Sequence, residues 1–124
     1  PVGRSVIELP AGLVGDLEGQ GGETLDQAAG RELLEETGYR AAGFSEIMRC
    51  PTSAGLTDET AVFLAAHGIV REGPGGGDDS EQITVHRIES GRIDDWLTEQ
   101  YRSGKAVDPK IFSALYWKRR RLEF

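Results

Sequence analysis

The stretch Glu23-Thr24-Leu25-Asp26-Gln27-Ala28-Ala29-Gly30-Arg31-Glu32-Leu33-Leu34-Glu35-Glu36-Thr37-Gly38-Tyr39 decides how this chain folds and which chemistry it can carry. Leu25, Ala28, Ala29, Leu33 and Leu34 recur at helical spacing and give the apolar stripe of an amphipathic helix. Thr24, with Gln27 three residues later, reads as a capping box, and Gly38 as the glycine that ends the helix. Gly30 inside that helix costs about 1 kcal/mol against Ala. Five acids fall within these seventeen residues. At about 100° per residue, Glu32 and Glu36 differ by about 40°, and Glu35 lies about 60° to the other side of Glu32. Arg31 and Glu35 form an i,i+4 pair. Three carboxylates on one face with a single nearby arginine repel each other unless a cation joins them. Clustered oxygen ligands of this kind suit Mg²⁺ or Mn²⁺, which take carboxylates and keep waters for a phosphate substrate. A charge run is otherwise an ordinary solvated face, so the flanking residues carry the decision.

Those residues resemble the Nudix box: a glycine, five residues, a glutamate, seven residues, then Arg-Glu, an aliphatic, any residue, Glu-Glu, any residue, Gly and an apolar side chain. Glu23 and Arg31 stand at that spacing, and Arg31 to Tyr39 supplies the remainder. The first glycine departs from the pattern, because Leu17 occupies its place. Glu8-Leu9-Pro10-Ala11-Gly12-Leu13-Val14 is similar to the usual lead-in, which makes Gly12 the box glycine. Five extra residues then fall within residues 15–22, GDLEGQGG, a Gly-rich turn-like excursion that adds little loop-closure entropy. The resemblance implies an α/β/α sandwich with a mixed β-sheet. It also implies that Glu32, Glu35 and Glu36 hold Mg²⁺, that the Ala11 carbonyl adds a backbone ligand, and that Arg31 orients the glutamates. Glu23 would complete the metal shell or hold Arg31.

Within the family, three features resemble the ADP-ribose pyrophosphatases: the lead-in, Thr57-Asp58-Glu59, and Glu81-Gln82-Ile83-Thr84-Val85-His86. That group carries Ser-Pro-Gly about fifteen residues after the box, whereas this chain has Ser53-Ala54-Gly55. A proline there would fix φ; its loss leaves the hydrolytic residues untouched and keeps GDP-mannose, another nucleotide sugar or a dinucleotide open as substrate. The resemblance aligns Glu81 with the loop glutamate that completes catalysis, as a base for the attacking water or a further metal ligand. Asp78 and Asp79 are its competitors in the Gly-rich loop 73–82. Arg4, Glu8 and Glu59 are candidate substrate contacts, and a homodimer is expected from the same resemblance. Rival functions are a catalytically inactive, metabolite-sensing Nudix domain and a house-cleaning hydrolase of free nucleoside triphosphates.

Composition agrees with a small enzyme of one domain spanning residues 1–124. The net charge of −7 disfavours nucleic acid or an anionic membrane as the main partner. The basic run Lys118-Arg119-Arg120-Arg121 is expected to complement a helix C-terminus. The lone Cys50 excludes an internal disulfide and reads as a buried, inert thiol beside a strand. There is neither a membrane-length apolar run nor a signal peptide, so a cytoplasmic location is expected. The N-terminal β-rich segment usual in the subfamily is absent or not included.

Outside the box, residues 5–9, 42–49, 60–69 and 83–88 read as strands and residues 73–77 as a flexible loop. Helices are expected near residues 94–102 and from Pro109, the last with Ile111, Leu115 and Leu122 as its stripe. His67 and His86 are expected as packed or surface residues of strands rather than catalysts.

Overall fold

A computed structural model of the chain describes residues 3–14 and 22–122. The Gly-rich excursion after the lead-in lies almost wholly within residues 15–21, outside the described residues.

Helix α1 (Leu25–Thr37) forms where the apolar spacing places it, and both ends are closed by side chains or backbone. Gln27 N–H donates to Thr24 Oγ1 at 3.2 Å, and Thr24 N–H donates to Gln27 Oε1 at 3.0 Å, so two orphan donors of the first turn are satisfied reciprocally. Gly38 adopts φ 79°, and its N–H donates to the Leu34 carbonyl. A Cβ at Gly38 would lie under 3.0 Å from the Gly73 backbone, so this turn requires glycine for conformation and for space.

The strands form three two-stranded ladders. β1 (Val6–Ile7) runs parallel to β6 (Ala106–Val107). β2 (Tyr39–Arg40) is antiparallel to β5 (Val70–Arg71). β3 (Gly43–Pro51) and β4 (Thr60–His67) form a long antiparallel hairpin, with a register shift between Glu46 and Met48 that leaves Ile47 as an extra residue. Helix α2 (Ile93–Arg102) follows a 3₁₀ turn at Ser90–Arg92 and packs beside β6, while α3 (Lys110–Leu122) packs on β3. Parallel and antiparallel pairing with flanking helices is the mixed α/β class expected. Ala28 of α1, Phe63 of β4, Leu97 of α2 and Ile111 of α3 are the buried hydrophobic residues among those described, so each helix anchors the core through one fully covered position.

Several expectations are corrected. The first strand is two residues long, because its partner β6 ends at Val107 and the chain turns into α3 at Lys110. Residues 83–88 are not a strand: among the described residues no backbone hydrogen bond engages 82–88. Alternation assigns side chains to faces but supplies no neighbouring backbone, and a strand needs one. His86 therefore lies outside any strand, exposed, with its ring against Trp96. His67 closes β4 exposed, 2.5 Å from Ser45 Oγ. Cys50 sits within β3 and is half-buried rather than buried. Arg119 of the basic run pairs with Asp94 at 2.7 Å, so that residue fastens α3 to α2. No described helix is long and apolar enough to cross a membrane.

Candidate functional site

Arg31 organises one side of the α1 surface. Its guanidinium takes Glu23 in a fork, Nε to Oε1 at 2.9 Å and Nη2 to Oε2 at 3.3 Å, the planar geometry that lysine cannot reproduce. Nη1 donates to Glu32 Oε1 at 2.6 Å and stands 3.9 Å from Glu35 Oε2. Nη2 also reaches the Leu13 carbonyl at 3.5 Å, tying the lead-in to the helix. Hydrogen bonds donated to Glu23 and then to Glu32 hold Arg31 charged at any accessible pH. Of the two roles open to Glu23, the structure shows the second: its side chain is 6% exposed and grips Arg31. Glu35 is 55% exposed and remains available to solvent.

The lead-in crosses this face at Ala11 and Gly12. Ala11 N–H donates to Glu36 Oε2 at 3.1 Å, so the contact seen from Ala11 is its donor rather than its carbonyl. A Cβ at residue 12 would fall under 3.0 Å from Glu32 Cγ, Cδ and Oε1. A side chain at 12 would therefore displace the Glu32 carboxylate from its place beside Arg31.

The loop 73–77 is anchored, contrary to the flexible reading. Gly76 N–H donates to the Glu36 carbonyl at 2.7 Å and Gly77 N–H to the Glu35 carbonyl at 3.0 Å. Gly73 N–H and Glu72 N–H both donate to the Gly38 carbonyl. Orphan carbonyls at the helix C-terminus are satisfied by an incoming loop instead of by water. Positive φ at Gly75, Gly76 and Gly77 makes this path possible. The consequence is that Glu81 comes within electrostatic reach of Glu36. One Glu81 oxygen accepts the Asp78 N–H at 3.1 Å. Asp78 is turned inward on its own loop, accepting from Ser80 N–H and Oγ, which depresses its pKa. No described side-chain contact engages Asp79.

Glu36 is the most perturbed acid of this group. Burial pushes its pKa from 4.5 to about 7; the bond from Ala11 N–H opposes this, and the charges of Glu32, Glu81 and Glu8 add to it. Glu8 therefore stands in the field of the site. Glu8 and Glu59 also lie in the field of Lys110 at the start of α3, whose ammonium is held charged chiefly by Asp108. Arg4 is exposed and no described contact brings it to the site.

Among the described residues no group of three or more His, Cys, Asp or Glu side chains is gathered as a ready metal shell. Glu32 is turned to Arg31 and Glu36 to the Ala11 N–H. The donor chemistry nevertheless fits a hard divalent cation. All candidate donors are oxygen, and Glu36, whose pKa is raised first by burial and then by neighbouring carboxylates, is a group whose anion a cation would favour. The loop anchoring by Gly76 and Gly77 was not read from the sequence, although three consecutive glycines after Pro74 marked an unusual backbone path.

A model of the NUDIX domain family matches residues 2–103. An ADP-ribose pyrophosphatase of Bacillus subtilis (strain 168) is 37% identical over 89 residues, covering 71% of this chain and 45% of that protein. A methanol dehydrogenase activator of Bacillus methanolicus is 32% identical over 83 residues, covering 67% of this chain and 42% of that protein. The chain thus spans less than half the length of these two relatives. No solved structure matches it significantly. With the Arg31 clamp, the glycine under Glu32 and this match across most of its length, the chain belongs to the Nudix family.

Proposed function

We propose that the protein hydrolyses the diphosphate linkage of a nucleoside diphosphate sugar, with ADP-ribose, giving AMP and ribose 5-phosphate, as the foremost substrate. The observation that carries this reading is the geometry of the box helix: Arg31 holds Glu32 at 2.6 Å and stands 3.9 Å from Glu35, while Glu36 of the same helix accepts from the Ala11 N–H of the lead-in. A divalent cation, Mg²⁺ or Mn²⁺, would be held by Glu32, Glu35 and Glu36 with the Ala11 carbonyl and Glu81 as further oxygen ligands, neutralising diphosphate charge and acidifying the attacking water.

The chain's own groups do the rest. Arg31, fixed by Glu23, sets the rotamers of Glu32 and Glu35 before substrate arrives. Glu81 accepts the proton of the attacking water as its oxygen bonds to phosphorus. The bridging P–O bond breaks, and the departing phosphate keeps the bridging oxygen. Choice of Glu81 over Asp79 rests on the anchored loop, which brings Glu81 into the field of Glu36. ADP-ribose is favoured over GDP-mannose or a dinucleotide by the likeness to the Bacillus subtilis protein. The altered signature does not count against it, because the turn at Ser53 closes without proline: Leu56 N–H and Thr57 N–H both donate to the Ser53 carbonyl.

Turnover of ADP-ribose is measured by phosphatase release of phosphate from the products. Excess EDTA should abolish it, and Glu81→Gln should lower kcat by about 10²–10⁴ with KM and folded fraction near wild type. Full activity in EDTA removes the metal from the reading. Wild-type kcat in Glu81→Gln, with loss in Asp79→Asn, transfers the base to Asp79. Tight binding of ADP-ribose without turnover would indicate the sensing function instead.

A further inference from the structure

A cavity of about 600 Å³ opens beside the box helix, and much of its lining is unused by the hydrolytic chemistry. Glu36 and Thr37 line it, as does the His86–Trp96 pair, so one continuous space joins the box helix to two aromatic rings. Its volume is typical of small-molecule sites. The rings are tilted by 50° with centroids 5.1 Å apart, which covers less of each face than a parallel stack would. Trp96 is half-buried on α2, and His86 is exposed on the unpaired segment 82–88. Ile93 and Leu97, beside Trp96 on α2, and Ile88 add apolar lining to the same cavity.

We infer that this aromatic end is the subsite for the planar base of the nucleotide, with Trp96 and His86 as the residues that stack on it. The inference rests on the diphosphate-hydrolysis reading for the placement of the phosphates, and it specifies which part of the substrate is recognised and by what. A pentose presents hydroxyls on both faces, and Ile88, Ile93 and Leu97 would leave them without partners. A nucleobase presents a π-face that stacks on any ring, and its polar edge stays in plane. Segment 82–88 follows Glu81 directly in sequence and carries His86.

The test uses the metal-free protein in EDTA, where hydrolysis does not run, and a Trp117→Phe background that leaves Trp96 as the single tryptophan reporter. AMP should change Trp96 fluorescence saturably, and ribose 5-phosphate should not. In the metal-loaded enzyme, His86→Ala and Trp96→Ala should raise KM for ADP-ribose about 5- to 150-fold, the equivalent of about 1–3 kcal/mol of base stacking, with kcat near wild type. Trp96→Phe keeps a ring and should recover most of that loss, which separates stacking from support of the α2 fold; His86, being exposed, is removed without loss of the folded state. Equal responses to AMP and ribose 5-phosphate, or an unchanged KM in His86→Ala and Trp96→Ala, overturn the subsite. An AMP-specific response in a protein that hydrolyses no diphosphate supports the subsite and rejects the hydrolysis reading, so the two fail separately.

Discussion

Replacing Glu36 by Gln should stabilise the metal-free protein at neutral and higher pH while removing its response to metal. Burial and the charges of Glu32, Glu81 and Glu8 hold the Glu36 pKa near 7 in the folded chain against 4.5 otherwise. The folded state therefore binds its proton more tightly than the unfolded state. Stability from that proton is complete below about pH 4.5 and is lost as pH rises to about 7. At about 1.36 kcal/mol per pKa unit, the shift sets a ceiling near 3 kcal/mol. Glu36 keeps some solvent contact, and screening reduces the expectation to about 1–2 kcal/mol. Gln preserves the acceptor for Ala11 N–H and the side-chain volume, so the difference isolates the charge. In urea titrations with EDTA, wild type and Glu36→Gln should differ little near about pH 5, and the variant should be more stable by about 1–2 kcal/mol near about pH 8. Added Mg²⁺ should then raise wild-type stability with the logarithm of its concentration and leave the variant nearly unmoved. Parallel pH dependence in the two proteins, or an equal Mg²⁺ response, would refute the reasoning.

Gly38→Ala should destabilise by at least about 1–3 kcal/mol, since it places a side chain at positive φ and against the Gly73 carbonyl; a urea midpoint within error of wild type contradicts the anchored-loop geometry. Gly30→Ala should do the opposite, adding about 0.5–1 kcal/mol in the same titration, because its Cβ would meet only Phe44 Cε2 at an ordinary 3.8 Å; a loss of stability would show that α1 packs more closely on β3 than described. Thr24→Ala should cost about 1 kcal/mol through the lost capping box and leave kcat unchanged. The active species is expected to be a homodimer, and a monomeric mass by light scattering at concentrations where turnover is linear would rule that out.

The sequence by itself determined helix α1 and both its caps. Thr24, Gln27 and Gly38 act through neighbours one turn away, so their chemistry is local and readable from spacing. The Arg31 fork to Glu23 was not fixed by spacing: Glu23 lies before the N-cap, the resemblance left it the choice of metal shell or Arg31, and the path of the chain into the helix brings it to the guanidinium. Only the tertiary structure decided the rest. Residues 83–88 alternate as a strand does, yet no described backbone hydrogen bond pairs them, and pairing is a long-range property. The 73–77 loop is Gly-rich like a mobile linker, but the unsatisfied carbonyls of Glu35, Glu36 and Gly38 give its N–H groups somewhere to go. That docking alone brings Glu81 to Glu36 across forty-five positions of sequence. The raised Glu36 pKa, caused first by burial, and the cavity shared with Trp96 were likewise decided in space, since burial and charge depend on distance there and not along the chain.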